Sequence, residues 1–297
     1  MLPGFGLSLG YSVAYLSLIV LLPLAALAAR AGTLGWDEFR RIVLSEQVLG
    51  AYRLTIGASA LAALANVGVG FLIAWVLGRY AFPGRRVMDA VIDLPFALPT
   101  AVAGIALAFL YSDRGWVGRA LDAAGFAYPW PAWRGFGEAG GGGWPVRVDW
   151  YDRVTRTPLG VVVALMFVGL PFVVRTVQPV VRELEREAEE ASVSLGAGPW
   201  LTFRRVVLPQ LVPALITGFA LAFARGLGEY GSVIFIAGNR PQTQITAHQI
   251  ILLMEEDDTF AAPTAVAVVL LATSFVLLLA INAFQRRVAG RGGSAVA

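Results

Sequence analysis

Six runs of apolar residues, at 9–29, 54–77, 87–110, 159–177, 211–236 and 262–284, alternate with polar stretches along the 297-residue chain. Each is about twenty residues or longer, enough as a helix rising about 1.5 Å per residue to cross roughly 30 Å of hydrocarbon. The pattern predicts an all-α integral membrane protein: six transmembrane helices in a single domain over 1–297. The first run ends in "ALAARAG", which resembles a signal-peptide cleavage site. No positive charge precedes it and its apolar core is too long, so it reads as a membrane helix.

The polar stretches differ in kind. Residues 36–49 read as a short amphipathic helix with Trp36, Phe39, Val43 and Leu49 on its apolar side. A long loop at 113–157 holds Trp116, Trp130, Trp133, Trp144 and Trp150 and four consecutive glycines at 140–143. No strand precedes the glycines and no Lys-Ser/Thr follows, so they read as a linker rather than a phosphate cradle. The tryptophans read as membrane-interface anchors. With the N-terminus inside, the loops at 79–86, around Glu189 and after Phe284 face the cytoplasm. They hold eleven arginines against five acids, whereas the much longer outer loops hold eleven against twelve. Net charge and density favour this N-in orientation, although the raw arginine counts tie.

Composition sharpens the picture. The chain is 57% hydrophobic and 14% charged, where a soluble domain would be about a quarter charged. It has no cysteine, which excludes disulfides and thiolate chemistry, and one histidine, His248, which excludes a two-histidine zinc site. All 23 basic residues are arginine. A phosphate-binding P-loop needs lysine, so the chain is expected not to hydrolyse ATP and to carry no cofactor. A spread net charge of +3 does not suggest nucleic acid.

The stretch "EEASVSLGAGPWLTFRRVVLP", from Glu189 to Pro209, stands apart. Val181, Leu184, Ala188, Ala191 and Leu195 recur at helical spacing, with small residues in the middle of the stripe. Glutamates and arginines on the other faces form i,i+3 and i,i+4 pairs. Gly196 and Gly198 stop the helix, and Pro199 can open the next. The expected shape is helix, sharp turn, helix. It suits insertion into a cleft on a partner, or equally a loop whose alanines pack on its own bundle.

Glu190-Ala191-Ser192, then Gly196, then Val206-x-Leu208-Pro209 resembles the E-A-A…G…I-x-L-P loop of ABC importer permeases. Glycine stands six residues after the glutamate and Leu-Pro eighteen and nineteen after it. Ser192 replaces alanine and Val206 isoleucine. The resemblance implies that the loop, within 176–209, docks into a separate ATPase subunit and carries its closing motion to the membrane helices. "DLPFALPTAVAGIAL" at 93–107, "LPFVVRTVQPV" at 170–180 and "FARGLGEYGSVIFIAGN" at 223–239 resemble the sulfate/thiosulfate permeases, T/U-type subunit. Molybdate permeases share part of the last pattern. The likeness runs from Tyr11 to Arg286, apart from about 126–156. It implies a type I permease fold in a prokaryotic inner membrane. It also implies an ATPase dimer, a second permease (a W-type paralogue or an identical copy) and an extracytoplasmic sulfate/thiosulfate-binding protein as partners, with lipid around them.

Arg225 and Glu229 fall inside the fifth run, four residues apart on one face. Each would cost about 2.5–3.5 kcal/mol at the centre of a lone membrane helix. Two readings follow: a buried brace between helices, or a site where Arg225 lends positive potential to an anion path, with Tyr230 and Ser232 adjoining. Gly226, Gly228 and Gly231 would permit close packing or irregular backbone there. Asp89 and Asp93 read as partners for cytoplasmic arginines, and Pro95 and Pro99 as loosening the start of the third run. His248 reads as a surface residue. The function expected is a sulfate/thiosulfate ABC permease subunit, with a molybdate or tungstate permease as the near rival. An ion-gradient-driven secondary transporter should show matching broken halves, which the sequence lacks. A membrane enzyme would have few catalytic groups left.

Overall fold

The computed structural model describes residues 5–112, 114–124, 154–256 and 259–293, and among these no strand occurs. The four-glycine run and all the expected loop tryptophans except Trp116 lie outside the described residues. The first helix, α1 (Phe5–Ala31), is one span with a π-helical turn at Ser17–Leu21. It is followed by α2 (Trp36–Val43) and α3 (Glu46–Arg79). The expected amphipathic helix at 36–49 is thus shorter, because Ser45 starts a new helix. Its hydroxyl accepts from the Val48 N–H at 3.4 Å, which satisfies a donor that a helix start leaves open. Acids Asp37 and Glu38 open α2 and Arg40 and Arg41 close it, the arrangement a helix dipole favours.

The third apolar run is not one helix. It divides into α4 (Arg85–Ile92), α5 (Leu94–Ala97) and α6 (Thr100–Leu110). Leu98 is extended, at ψ 133°, as expected for a residue whose neighbour is Pro99. The Pro95 and Pro99 positions therefore do more than loosen the start. After the short α7 (Trp116–Ala123) come α8 (Pro158–Glu183), α9 (Arg186–Ser194) and α10 (Pro199–Leu227). The fifth run also breaks. α10 ends at Leu227, and after three intervening residues α11 (Gly231–Ala237) begins. The chain closes with α12 (Thr246–Glu256) and α13 (Ala261–Gly293). Among the described residues five helices, α1, α3, α8, α10 and α13, are long and apolar enough to cross a membrane.

The core forms where α3, α8 and α10 meet. Ala74, Leu77, Val173, Val174, Val177, Val181 and Leu211 are buried together there. Small residues allow the approach, which matters in lipid because packing rather than water exclusion holds helices together. A Cβ on Gly218 would lie 3.1 Å from the Val173 Cα, and one on Gly169 would lie 2.7 Å from Asn66 Nδ2. Asn66 itself donates across the seam to the Met166 carbonyl at 3.0 Å. A second cluster joins α6, α8 and α11 through Leu107, Val161, Leu165, Val233 and Ile236. A third joins α2, the start of α3 and α13, where the buried Tyr52 hydroxyl donates to the Val266 carbonyl at 2.9 Å. By contrast, α1 exposes apolar side chains along nearly its whole length, as a helix facing lipid does.

Helices α6 and α11 pack backbone to backbone, where a Cβ on Gly104 would sit 2.5 Å from the Ser232 carbonyl oxygen. Gly104→Ala should therefore force the two helices apart and cost about 1–3 kcal/mol. Gly57→Ala, where a Cβ meets nothing within 4 Å, should leave stability unchanged or slightly raised. Melting of the detergent-purified variants, followed by circular dichroism, checks the pair.

Candidate functional site

Two places concentrate polar chemistry, one at the end of the bundle and one inside it. The first is the stretch from Leu184 to Val207. The stripe expected from Val181 to Leu195 divides at Leu184 and Glu185, which are extended, with ψ near 120°. Val181 and Leu184 are buried in the chain's own core, whereas no residue of α9 is buried. Glu190, Ala191 and Gly196 are exposed, Ser192 is half-buried, and Leu195 is 89% exposed.

The turn is built as the glycines suggested. Gly196 sits at φ +84°, its N–H bonds to the Val193 carbonyl at 2.9 Å, and the Ala197 N–H reaches back to the Ser192 carbonyl at 3.1 Å. These are the paired bonds of a Schellman ending, and the left-handed φ is what makes glycine fit. Gly198 is extended and Pro199 occupies the first turn of α10. A π-helical turn at Phe203–Val207 follows, in which the Leu208 N–H bonds to the Phe203 carbonyl. Pro209, exposed, has no N–H to place in that ladder. Val206 and Leu208 are half-buried on the same helix.

Two side-chain ties hold this hairpin, one across its own turn and one to the bundle. The Ser192 and Thr202 hydroxyls lie 3.0 Å apart across the turn. Arg79, at the end of α3, forms an ion pair with Glu189, and its guanidinium lies 5.1 Å from the centre of the Trp75 ring. Glu189 was expected to pair only within its own helix, and this anchor was not foreseen. An arginine closing an apolar run was the only signal for it.

The second place is the break between α10 and α11. Arg225 Nη1 lies 2.6 Å from Glu229 Oε2. Glu229 is 2% exposed, while the Arg225 side chain is 31% exposed. The other carboxylate oxygen of Glu229 accepts from the Ser232 backbone N–H at 2.8 Å and the Ser232 hydroxyl at 2.9 Å. One carboxylate therefore holds the last turn of α10 by its charge and caps the first turn of α11. Tyr230 links the two helices and meets His248 edge to face, ring centres 5.9 Å apart. His248 is buried rather than a surface residue. Burial pushes its pKa below the ordinary value, with the Glu255 charge opposing. Thr100 and Ala101, at the start of α6, close against Gly231.

Asp89 and Asp93 do not reach this site. They pair with Arg175 of α8, which lies 2.8 Å from the first carboxylate and 2.6 Å from the second. No group of His, Cys, Asp and Glu side chains that could hold a metal ion occurs among the described residues.

The architecture is that of a multi-pass helical bundle with an exposed helix–turn–helix at one end. Residues 67–290 match the family described as "Binding-protein-dependent transport system inner membrane component", and the chain belongs to that family. Within it, the chain belongs with the sulfate permeases. It is 45% identical over 287 residues to the "Sulfate transport system permease protein CysT" of Escherichia coli (strain K12), covering 96% of this chain and 94% of that one. It is 46% identical to the protein of the same name from Salmonella typhimurium, with the same coverage. It is 42% identical to that of Synechocystis sp., covering 93% and 87%. Two solved structures share the fold. One is described as a bacterial ABC transporter involved in the import of alginate (TM-score 0.71, 17% identity, 94% of each chain). The other is an alginate ABC transporter in complex with an alginate pentasaccharide-bound periplasmic protein (TM-score 0.70, 18% identity, 95% and 93% covered).

Because Glu229 is the buried partner and Arg225 the wetter one, the two deletions should differ. Arg225→Met strands a buried carboxylate and should cost about 3–5 kcal/mol, whereas Glu229→Gln keeps an acceptor for Ser232 and should cost less. The double variant should recover part of the loss, a coupling read from a double-mutant cycle on folded yield and melting temperature. Strict additivity would contradict the brace.

For His248, the folded protein disfavours the proton that the unfolded chain binds near pH 6.5. Its contribution to stability is present above that value and is lost as pH falls through it. Between pH 7 and 5 the melting temperature of wild type should fall more than that of His248→Gln.

Proposed function

We propose that this chain is the transmembrane permease subunit of an ATP-driven sulfate importer, with thiosulfate as a second substrate of the same route. What carries the coupling half of the reading is the helix–turn–helix from α9 into α10. It turns Val193, Leu195, Trp200 and Leu201 away from its own core and offers Glu190 and Gly196 beside them. Apolar side chains left uncovered on a polar loop favour a protein partner. The partner here is one subunit of an ATPase dimer, with Glu190, Ala191, Ser192, Gly196, Val206, Leu208 and Pro209 forming or bracing the contact. The chain itself lacks lysine and so lacks a P-loop, which leaves ATP hydrolysis to the separate subunit, and its relatives are named as permeases.

The anion half rests on the names of the relatives. A tetrahedral dianion needs a route through hydrocarbon lined by donors or positive potential. Arg225, Tyr230 and Ser232 stand at a break in the fifth run, where irregular backbone in lipid is tolerated only if protein or a cavity surrounds it. They are the candidate lining, with Glu229 as the group that holds Arg225 and Ser232. The remaining assembly is a second permease, paralogous or identical, and an extracytoplasmic binding protein that selects the anion. The membrane is the inner membrane of a prokaryote, with the N-terminus on the cytoplasmic side. Arg79 and the arginines at 85, 86, 204 and 205 then gather at the coupling end.

Labelled sulfate uptake by cells depending on this chain should be competed by unlabelled thiosulfate and little affected by equimolar molybdate. Strong competition by molybdate would favour a molybdate or tungstate permease. Gly196→Asp forces a Cβ onto a left-handed backbone and adds a charge to the docking face. Uptake should fall by roughly tenfold or more, with membrane insertion unchanged and the ATPase no longer co-purifying. Gly196→Asn, which tolerates that backbone, should keep most of the activity.

A further inference from the structure

Arg175 makes more polar contacts than any side chain named so far, and neither the coupling loop nor the α10–α11 break uses it. Its Nε donates to Asp93 Oδ1 at 2.8 Å and its Nη2 to Asp93 Oδ2 at 2.6 Å, a two-point grip. Nη2 also reaches the Asp89 carbonyl at 2.9 Å, and Nη1 reaches Asp89 Oδ1 at 2.8 Å and Gln178 Oε1 at 2.9 Å. Gln178 returns a bond to Asp89 Oδ1 at 3.3 Å. A planar guanidinium can fill both carboxylates at once in this way, which an ammonium cannot.

What it grips is a thinly attached arm. Helices α4 and α5 lie between a turn at Gly84, at φ +87°, and the extended Leu98. Ile92 is the one buried residue of the two helices, while Val87, Val91, Leu94 and Phe96 are exposed. Besides Ile92, the arm meets α8 through the edge-on Phe96–Phe172 pair, 5.1 Å between ring centres, and through the bonds of Arg175 and Gln178 to Asp89 and Asp93. A segment held by few apolar contacts and one polar grip is the kind that moves as a unit.

The two ends of this grip lead to the two places described above. Eight residues beyond Arg175, α8 ends and the chain enters the α9 hairpin. Beyond the arm, α6 starts at Thr100, which closes on Gly231, and Gly104 abuts Ser232, whose hydroxyl and N–H bond Glu229.

We propose that Arg175 is a positioning residue for transport: its guanidinium latches the α4–α5 arm to α8, so that motion of the coupling hairpin shifts α6 against the start of α11. This rests on the permease reading. In it, Arg175 touches neither the anion nor the ATPase, and sets how much transport each round of ATP hydrolysis delivers.

The test uses the whole importer, drawn from its native membrane by a tag on this chain and reconstituted in vesicles. Radiolabelled sulfate uptake and ATP hydrolysis stimulated by loaded binding protein are measured together for wild type, Arg175→Lys, Asp93→Asn and Asp93→Glu. Arg175→Lys keeps the charge and loses the fork. The expected result is uptake per ATP lowered about tenfold in Arg175→Lys and Asp93→Asn, within the range of ordinary coupling energies. Stimulated hydrolysis should stay within about twofold of wild type, and Asp93→Glu should recover much of the ratio. Unchanged uptake per ATP in both Arg175→Lys and Asp93→Asn overturns the latch. So does a proportional loss of uptake and hydrolysis, or failure of both variants to assemble, since a mere brace would give that. If the wild-type complex takes up no sulfate but its hydrolysis responds to another loaded binding protein, the substrate reading fails instead. The same ratio is then measured with that anion.

Discussion

In hydrocarbon a backbone N–H that loses its helical partner has no water to turn to, and this chain breaks its helices inside two of its apolar runs. The break after Leu227 frees donors at the start of α11, and the Glu229 carboxylate takes one of them through Ser232. That carboxylate would itself be too costly to bury without Arg225 beside it. Gly231 and Gly104 then let α6 cover the exposed backbone at a distance no side chain would allow. Sequence, break, charge pair and close packing thus form one dependent set. The Pro99 break is managed differently, by a residue that has no N–H to satisfy.

The same economy governs the opposite end. The α9 hairpin has almost no core of its own, so its position depends on Arg79 gripping Glu189 and on the Ser192–Thr202 contact. Its apolar side chains remain free to meet another surface. Polar ties hold the hairpin that leaves the bundle, whereas glycine and alanine seams dominate the contact of α3, α8 and α10 within it. This division follows from what each environment offers: lipid supplies no hydrophobic drive between helices, and the membrane edge supplies water that weakens isolated ion pairs.

Much of this was legible beforehand. Run length gave the helices, glycine and proline placed the turn at 196–199, and the four-residue spacing of Arg225 and Glu229 placed them together. The misses share a cause. Hydropathy reads 87–110 and 211–236 as continuous because a proline or a Gly-Glu-Tyr insertion barely changes a twenty-residue average, although each ends a helix. The stripe from Val181 to Leu195 has helical period throughout, yet Leu184 and Glu185 are extended, and periodicity cannot see a break that leaves the spacing intact. His248 looked wet because its neighbours in sequence are polar. It is buried by Tyr230, a residue eighteen positions away that the helix break delivers.

The length of α3 has a mechanical meaning. Its 34 residues make a rod of about 51 Å, well beyond the hydrocarbon thickness. Near one end Gln47 meets Gln244 and Thr55 meets Thr246, while the last residue, Arg79, holds the hairpin. A rod of that length tilting by about 5° moves one tip by roughly 4 Å relative to the other. The helix is therefore a lever with a handle at each face of the bundle. Angular changes too small to disturb its glycine-lined seam with α8 become displacements as large as a side chain at its ends.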